Sequence, residues 1–316
     1  MILVQCQGCT KSDNLCFESV QFMSFECLTL DLVMPAFIRT RFAPTPSGYL
    51  HLGNVFSFAI TAALARRSGA RILLRIDDLD QARVKRSYVE DVFDTLAFLK
   101  FPWDEGPKNY LDYKQMYSQI HRMTLYEEAL QQLRRQGRIF ACECSRSALL
   151  ANHPEGVYTG TCRNKGIPLD DSGYNWRINT SDVELPPAMQ YFVVRKRDGF
   201  PAYQLASVVD DVYYGVDLIV RGEDLRESTQ AQRYLAGLLG YDSFMSTTFY
   251  HHVLLTDTAS QKLSKSSGAT SIQYLRRQGQ TPADIYRKIG QVAGLQTTVS
   301  SWEQLAASIP DNLIKN

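Results

Sequence analysis

The sequence lacks a long hydrophobic run, an internal repeat and a low-complexity tract. No apolar stretch approaches the ~20 residues that a transmembrane helix needs. The chain also does not open on the basic segment and short apolar segment of a secretory signal. These absences argue against a membrane-spanning protein, and we expect a cytoplasmic protein with no membrane partner.

The chain also lacks a strong net charge. Its 316 residues carry a formal charge of +1, so no global positive field attracts nucleic acid. Any contact with RNA must come from local patches such as Arg134, Arg135 and Arg138, or Arg276 and Arg277, although most such clusters are only solvated helix faces. Hydrophobic residues make up 45% and charged residues 21%, which is typical of a soluble globular enzyme. The length favours a layered α/β domain with a smaller appendage.

The first 33 residues look unlike the rest of the chain. They show no sustained periodicity and no helix-capping signals, whereas a strand pattern follows directly after Met34. We expect residues 1–33 to be an extension outside the fold, or translation to start at Met34. Cys6 and Cys9 could form half of a metal site, but no second pair at a suitable spacing supports that interpretation.

From residue 34 onward, strand patterns alternate with helix patterns. Predicted strands cover residues 37–42, 72–76, 216–220 and 249–255, and predicted helices cover residues 54–67, 117–136 and 228–239. A capping box of Ser87 and Glu90 predicts the start of another helix, and Gly69 and Gly137 predict helix ends. This alternation indicates a parallel, doubly wound sheet.

Residues 138–200 interrupt the alternation. They contain a cysteine cluster, loops and a hairpin predicted to turn at Asp198-Gly199, and we interpret them as an insertion. We therefore predict an α/β domain over 34–137 and 201–265, an insertion over 138–200 and a short helical tail over 266–316.

Two motifs carry phosphate chemistry. His51-Leu52-Gly53-Asn54 follows a strand and begins a helix, where free N–H groups and the helix dipole favour a bound phosphate. Gly53 lets a nucleotide approach the backbone, and His51 can donate a hydrogen bond to a phosphate oxygen. The alternative is an ordinary N-cap turn with an incidental histidine.

The second motif is a basic loop, Lys262-Leu263-Ser264-Lys265-Ser266. Two lysines three positions apart, among small hydroxyl residues, suit a loop that closes on a polyphosphate. Transfer at an α-phosphate develops negative charge, which placed cations stabilise. Alone, such a loop is usually solvated surface, but both motifs in this order are hard to attribute to chance.

Residues 41–53 (RFAPTPSGYLHLG) resemble the opening of glutamyl- and glutaminyl-tRNA synthetases. The first motif resembles the family's HIGH motif with Asn54 in the last position, and the second resembles KMSKS with Leu for Met. The resemblance covers roughly residues 37–290 and implies a Rossmann-like class I catalytic domain. It also implies that ATP, with Mg²⁺, activates an amino acid that is then transferred to RNA. The implied catalytic residues are His51, Lys262 and Lys265, and the implied ATP-binding residues are His51, Gly53, Asn54 and Lys265.

The amino acid is predicted from charged residues that follow strands. Arg41 and Arg221 can each bind a carboxylate at the carboxyl edge of the sheet, Asp77 can bind an ammonium group, and Tyr203 can add a hydroxyl. The resemblance implies a glutamate pocket built from Arg41, Phe42, Ala43, Pro44, Thr45, Asp77, Tyr203 and Arg221. Glutamate enzymes of the family usually carry Glu where this chain has Asp77, and glutamine enzymes carry Asp. A methylene is worth about 1–3 kcal/mol, and the two arginines still favour glutamate.

The cysteines of the insertion predict a metal site. Clustered cysteines in a reducing compartment suggest metal before disulfide, and Cys142, Cys144 and Cys162 can supply three corners of a tetrahedron. Ordinary ligand preference makes His153 the fourth ligand, whereas resemblance to zinc-containing glutamyl-type synthetases implies Tyr158. A structural zinc would stabilise an insertion that lacks a large core. The alternative is three thiols without metal.

The RNA partner is predicted from the short tail. Few residues follow the lysine loop, so we expect no anticodon-binding domain. A catalytic domain with zinc and without that domain resembles the glutamyl-queuosine tRNA(Asp) synthetase branch of the family. The resemblance implies transfer of glutamate to queuosine in the anticodon loop of tRNA(Asp), and we expect the protein to be a monomer. The alternatives are a compact enzyme that charges tRNA(Glu), a non-catalytic paralogue, and a nucleotidylyltransferase that uses another acid.

Overall fold

The computed structural model describes residues 36–152, 156–255, 271–310 and 313–315. The predicted extension over residues 1–33, His153 and the loop with Lys262 and Lys265 lie outside the described residues. None of the helices in the described ranges combines the length and the apolar character that crossing a membrane requires.

Helices and strands alternate along much of the chain. Strands β1 to β8 cover Arg39–Phe42, Arg71–Leu74, Ile139–Cys142, Asn175–Ile178, Val193–Arg195, Leu218–Gly222, Thr248–His252 and Ile314–Lys315. Helices α1 to α11 cover Leu52–Ser68, Arg86–Phe98, Tyr110–Asp112, Met123–Arg135, Arg146–Asn152, Tyr203–Tyr213, Arg226–Leu239, Asp242–Met245, Ile272–Arg277, Pro282–Val292 and Trp302–Ser308.

The α/β core consists of two parallel strand pairs that lie side by side. β1 pairs with β2 in parallel, and β6 pairs with β7 in parallel. Asp217, just before β6, joins the pairs: its backbone N donates to Arg39 O (3.1 Å), and its carboxylate accepts from Ile38 N and Arg39 N (2.8 and 2.9 Å). The strands therefore bring their carboxyl ends to one edge, as the predicted parallel arrangement requires.

Residues 138–200, which the sequence predicts to be an insertion, contain an antiparallel sheet. β4 lies between β3 and β5 and is antiparallel to both. The predicted turn at Asp198-Gly199 is confirmed: Lys196 N donates to Phe200 O (2.8 Å) across it. Gly199 has a φ of +88°, a conformation that side-chain-bearing residues rarely adopt.

Two predicted helix starts are wrong. Helix α2 begins after Lys85 without a side-chain cap, and Glu90 instead pairs with Arg86 (2.8 Å). The helix predicted from residue 117 begins at Met123, after a π-helical turn and a 3₁₀ turn. Asp78 accounts for the difference, because its carboxylate holds these turns through Tyr113 Oη, Ser118 Oγ and Gln119 N (2.6, 2.5 and 2.8 Å).

The C-terminal helices pack on the side of the core that α1 covers. Trp302 of α11 donates from Nε1 to Lys100 O (3.1 Å), and Tyr286 of α10 donates from its hydroxyl to Leu99 O (2.6 Å). The guanidinium of Arg66, near the end of α1, lies 4.4 Å from the Trp302 ring centroid. The predicted helical tail is thus part of the folded body in its described range.

Candidate active site

A cavity of about 420 Å³ lies at the carboxyl edge of the parallel strands. Such an edge is where open α/β sheets bind ligands. The cavity is lined by Arg41, Ala43, Pro44, Thr45, His51, Gly53, Asn54, Ser57, Phe58, Thr61, Arg75, Asp77, Tyr203, Val220, Arg221, Gly222, Asp224, Leu225, His252, Leu254 and Leu255. The predicted ATP and glutamate residues that lie in the described ranges therefore meet at one site, with one exception.

Phe42 is the exception. Its side chain is only 1% exposed and packs on Phe58, with the ring centroids 4.6 Å apart. The backbone oxygen of Phe42 accepts from Arg75 N (2.8 Å). The residue therefore supports the strand beneath the cavity, and its ring belongs to the apolar core.

The first motif forms a reciprocal helix cap. Gly53 N donates to His51 Nδ1 (3.1 Å), and His51 N donates to Asn54 Oδ1 (3.0 Å). Because Nδ1 accepts, the proton of the neutral imidazole lies on Nε2, which is then a hydrogen-bond donor. A Cβ at position 53 would lie 3.0 Å from His51 Cε1, so glycine leaves room for this ring position. The N-cap interpretation and the phosphate-binding interpretation of His51 are therefore compatible.

The buried Arg75, which lines the cavity, pairs with two carboxylates. Arg75 donates to both carboxylate oxygens of Asp77 from Nε and Nη2 (2.7 and 3.2 Å). Its Nη1 donates to Asp211 (2.7 Å). Arg41 also pairs with Asp211 (Nε to Oδ1, 3.1 Å). Burial lowers the pKa of Arg75, but the carboxylates outweigh burial and hold its pKa well above the usual value. For Asp77, burial dominates and raises the pKa despite the pairing with Arg75.

Arg75 and Asp211 were missed at the level of sequence. Asp211 stands beside Asp210 in the last turn of α6, after an apolar Val-Val pair, and both are buried. Adjacent acids on a buried helical segment need cationic partners, and that pattern could have pointed to them. Their partner Arg75 sits in a buried stretch that follows β2, where composition alone does not distinguish it from a surface arginine.

Arg221, at the end of β6, has a different environment. It donates from Nη1 to Gln232 Oε1 (2.8 Å) and from Nη2 to Thr229 Oγ1. Among the residues that the structure describes, no carboxylate lies within ion-pair distance of it, and its Nε has no hydrogen-bond partner. Burial lowers the pKa of Arg221 to about 10, and the nearby charge of Arg41 acts in the same direction. Arg221 is therefore a buried cation at the cavity that has no ion-pair partner in the part of the chain that the structure describes.

The cysteines of the insertion converge on a candidate metal centre. The sulfur atoms of Cys142, Cys144 and Cys162 lie within 4.8 Å of one another, and Cys144 Sγ is 3.5 Å from Cys162 Sγ. Tetrahedral zinc with Zn–S bonds of about 2.3 Å separates its sulfurs by about 3.8 Å, so the three thiols fit a metal ion. The Tyr158 hydroxyl accepts from Cys162 N (2.8 Å) and thus lies at the same cluster.

Comparison with known proteins agrees with this geometry. The family model described as "tRNA synthetases class I (E and Q), catalytic domain" matches residues 37–165 and 170–304. The chain belongs to this family. It is 39% identical over 265 residues to the glutamyl-Q tRNA(Asp) synthetase of Synechococcus sp. (strain CC9605), covering 82% of this chain and 83% of that protein. It is 34% identical over 287 residues to the glutamyl-Q tRNA(Asp) synthetase of Rhodobacter capsulatus, covering 79% and 99%.

Solved structures support the same fold. The glutamate-tRNA synthetase of Elizabethkingia anophelis matches with a TM-score of 0.68 and 22% sequence identity, over 88% of this chain and 66% of that one. The class I catalytic fold predicted from the two motifs is confirmed.

Proposed function

We propose that the chain activates L-glutamate with ATP and transfers the glutamyl group to queuosine in the anticodon loop of tRNA(Asp). Relatives named glutamyl-Q tRNA(Asp) synthetase, similar over most of the chain, support this substrate. The structural observation that carries the proposal is the buried Arg221, which forms no ion pair with any described residue and lies in a cavity that also contains Asp77 and the start of α1. Glutamate supplies the missing negative charge.

Arg41 and Arg221, two of the arginines that line the cavity, have different roles in this proposal. Arg41 is already paired with Asp211, whereas Arg221 has only uncharged partners among the described residues. We therefore assign the side-chain carboxylate of glutamate to Arg221. Asp77 binds the ammonium group, because it is held in a fixed position by Arg75 and remains at the cavity surface. Thr45 and Tyr203, which also line the cavity, complete the pocket.

ATP binds with its phosphates at the start of α1, where Gly53, Asn54 and the Nε2 donor of His51 lie. The α-carboxylate of glutamate attacks the α-phosphorus, the adenylate forms and pyrophosphate leaves. Lys262, Lys265 and His51 stabilise the negative charge that develops, with Mg²⁺ carried on the phosphates of the substrate. A cyclopentenediol hydroxyl of queuosine then attacks the glutamyl carbonyl carbon, and AMP leaves.

The function is tested by charging labelled glutamate onto three RNAs in parallel. We expect label on tRNA(Asp) that contains queuosine, and none on tRNA(Asp) without queuosine or on tRNA(Glu). Label on tRNA(Glu) alone would identify the compact tRNA(Glu)-charging alternative. Absence of glutamate-dependent ATP–pyrophosphate exchange would identify the non-catalytic alternative.

A zinc ion held by Cys142, Cys144, Cys162 and Tyr158 is the metal we propose for the insertion. Metal analysis should find zinc in about a one-to-one ratio with the chain. Chelation should lower the Tm, because the thiols and Tyr158 are the centre of a small separate apolar cluster. A chain that contains no zinc and melts unchanged in chelator would contradict the proposal.

The fourth ligand is tested by comparing Tyr158→Phe with His153→Ala. We expect Tyr158→Phe to weaken zinc affinity by about tenfold or more in competition with a chromogenic chelator, and His153→Ala to have no effect. Tyr191→Phe is the matched control, because the ring of Tyr191 packs 6.1 Å from that of Tyr158 while its hydroxyl contacts Arg163. The opposite ranking would assign the position to His153.

A further inference from the structure

We propose that Thr229 and Gln232 are positioning residues that orient Arg221 and, being uncharged, keep its charge available for the carboxylate of the substrate. The proposal rests on the function proposed above and extends it to residues that do not line the cavity. It explains how a buried arginine is held firmly without being neutralised.

Both residues lie on the same face of α7, three positions apart. Thr229 is 7% exposed and Gln232 is 1% exposed, so water has little access to compete for their contacts with Arg221. Gln232 Oε1 accepts from Arg221 Nη1 and Thr229 Oγ1 accepts from Arg221 Nη2. Because separate acceptors hold the two terminal nitrogens, the plane of the guanidinium group is fixed, as bidentate recognition of a carboxylate requires.

His251 of β7 contacts the Thr229 hydroxyl that holds Arg221. Its Nε2 lies 2.8 Å from Thr229 Oγ1. Burial, together with the nearby charges of Arg221 and Arg226, lowers the pKa of His251 to about 4, so the imidazole is neutral at pH 7. Arg226 itself pairs with Glu223 (2.6 Å). Thr229, Gln232 and the neutral His251 thus place no charge against the terminal nitrogens of Arg221, and the charges of Arg41 and Asp211 act on its pKa without forming an ion pair with it.

Arg75 and Arg41 show what an acidic partner does in the same part of the molecule. Asp211 contacts both of them and neutralises charge beneath the cavity. A carboxylate at position 232 would stand where Gln232 Oε1 stands and would pair with Arg221 in the same way. The substrate carboxylate would then have to displace an internal ion pair, so the amide at this position is a determinant of glutamate binding.

The test compares Gln232→Glu with Gln230→Glu in glutamate-dependent ATP–pyrophosphate exchange. The first change is isosteric and places its carboxylate against Arg221, while Gln230 lies exposed on the same helix. We expect Gln232→Glu to raise KM for glutamate by about 100-fold with a smaller change in kcat. We also expect it to abolish the preference for glutamate over glutamine. Gln230→Glu should match the wild type.

A second pair separates positioning from folding. Thr229→Val keeps the shape but removes the acceptor, and we expect KM for glutamate to rise about tenfold. Thr229→Ser restores the hydroxyl and should restore KM. The inference is overturned if Gln232→Glu behaves like Gln230→Glu, or if Thr229→Val leaves KM unchanged. Failure of the wild-type chain to show glutamate-dependent exchange would instead reject the proposed function.

Discussion

Replacing Arg221 by methionine should lower kcat/KM for glutamate activation by about 10²–10⁴-fold. Each charge-assisted hydrogen bond to a carboxylate is worth about 1.5–3 kcal/mol, and Arg221 can offer two to the substrate. The loss should be visible in ATP–pyrophosphate exchange driven by glutamate. Among the described arginines that line the cavity, Arg41 and Arg75 cannot take over, because they are paired with Asp211 and Asp77.

The same variant should not be less stable than the wild type in the absence of substrates. The pKa of Arg221 falls from its usual 12.5 to about 10 on folding, so at pH 7 the folded protein holds this proton less favourably than the unfolded chain does. The difference corresponds to about 3 kcal/mol of destabilisation by the buried cation. Methionine removes that cation, and we expect an equal or higher Tm.

Arg233→Met is the control for the loss of an arginine beside Phe249. Arg233 lies over the same Phe249 ring as Arg221 (5.1 and 4.9 Å to the centroid), but it is not among the residues that line the cavity. It should keep glutamate activation. Equal losses in the two variants, or retention of activity by Arg221→Met, would contradict the assignment of the carboxylate to Arg221.

The sequence predicted which residues lie at the site better than it predicted how their charges are paired. His51, Gly53, Asn54 and Arg221 follow strands or begin helices, so the order of elements alone places them at the carboxyl edge. Arg41 has an acidic partner and Arg221 has none among the described residues, and this difference depends on Asp211, which is 170 residues from Arg41 in the chain. Pairing of this kind is decided by tertiary packing, and no local pattern records it.

The predicted start of α4 was wrong for a similar reason. The periodic pattern after residue 117 is helical, but the chain enters α4 only at Met123, because Asp78 binds residues 35 to 41 positions later and forces two irregular turns. The positions of Thr229 and Gln232 on the buried face of α7 are visible as polar residues three apart. Their role becomes apparent only when Arg221 is seen beside them.

Asp210→Asn should destabilise the fold by about 3–5 kcal/mol, the usual effect of removing one member of a buried ion pair. Asp210 is fully buried and accepts from Arg122 (2.7 and 3.1 Å), Gln119 (2.8 Å) and Tyr126 (2.6 Å). The amide nitrogen of asparagine cannot accept these bonds, and Arg122 would remain buried with its charge uncompensated. For a chain of this size we expect the Tm to fall by about 10 °C.

The destabilisation caused by Asp210→Asn should depend on pH, and the direction follows from the shifted pKa of Asp210. Burial raises the pKa of Asp210, but the hydrogen bond from Arg122 and the charges of Arg75 and Arg122 outweigh burial and lower it. The folded state therefore binds this proton less tightly than the unfolded chain, so the stabilisation is present above the ordinary aspartate pKa, about 3.9, and is lost as the pH falls through the lowered value. The difference in Tm between wild type and Asp210→Asn should stay constant from pH 7 to about pH 5 and should narrow as the pH falls further.

Asp170→Asn supplies the matched control, because Asp170 pairs with Arg134 at 2.6 Å but its side chain is 75% exposed. Exposed ion pairs contribute little, so this variant should melt like the wild type at every pH. If Asp170→Asn and Asp210→Asn melted at the same temperature, the buried network would not be what holds α6 in place. Since α6 carries Tyr203 to the cavity and Asp211 to Arg41, loss of Asp210 should also weaken glutamate binding in the fraction that remains folded.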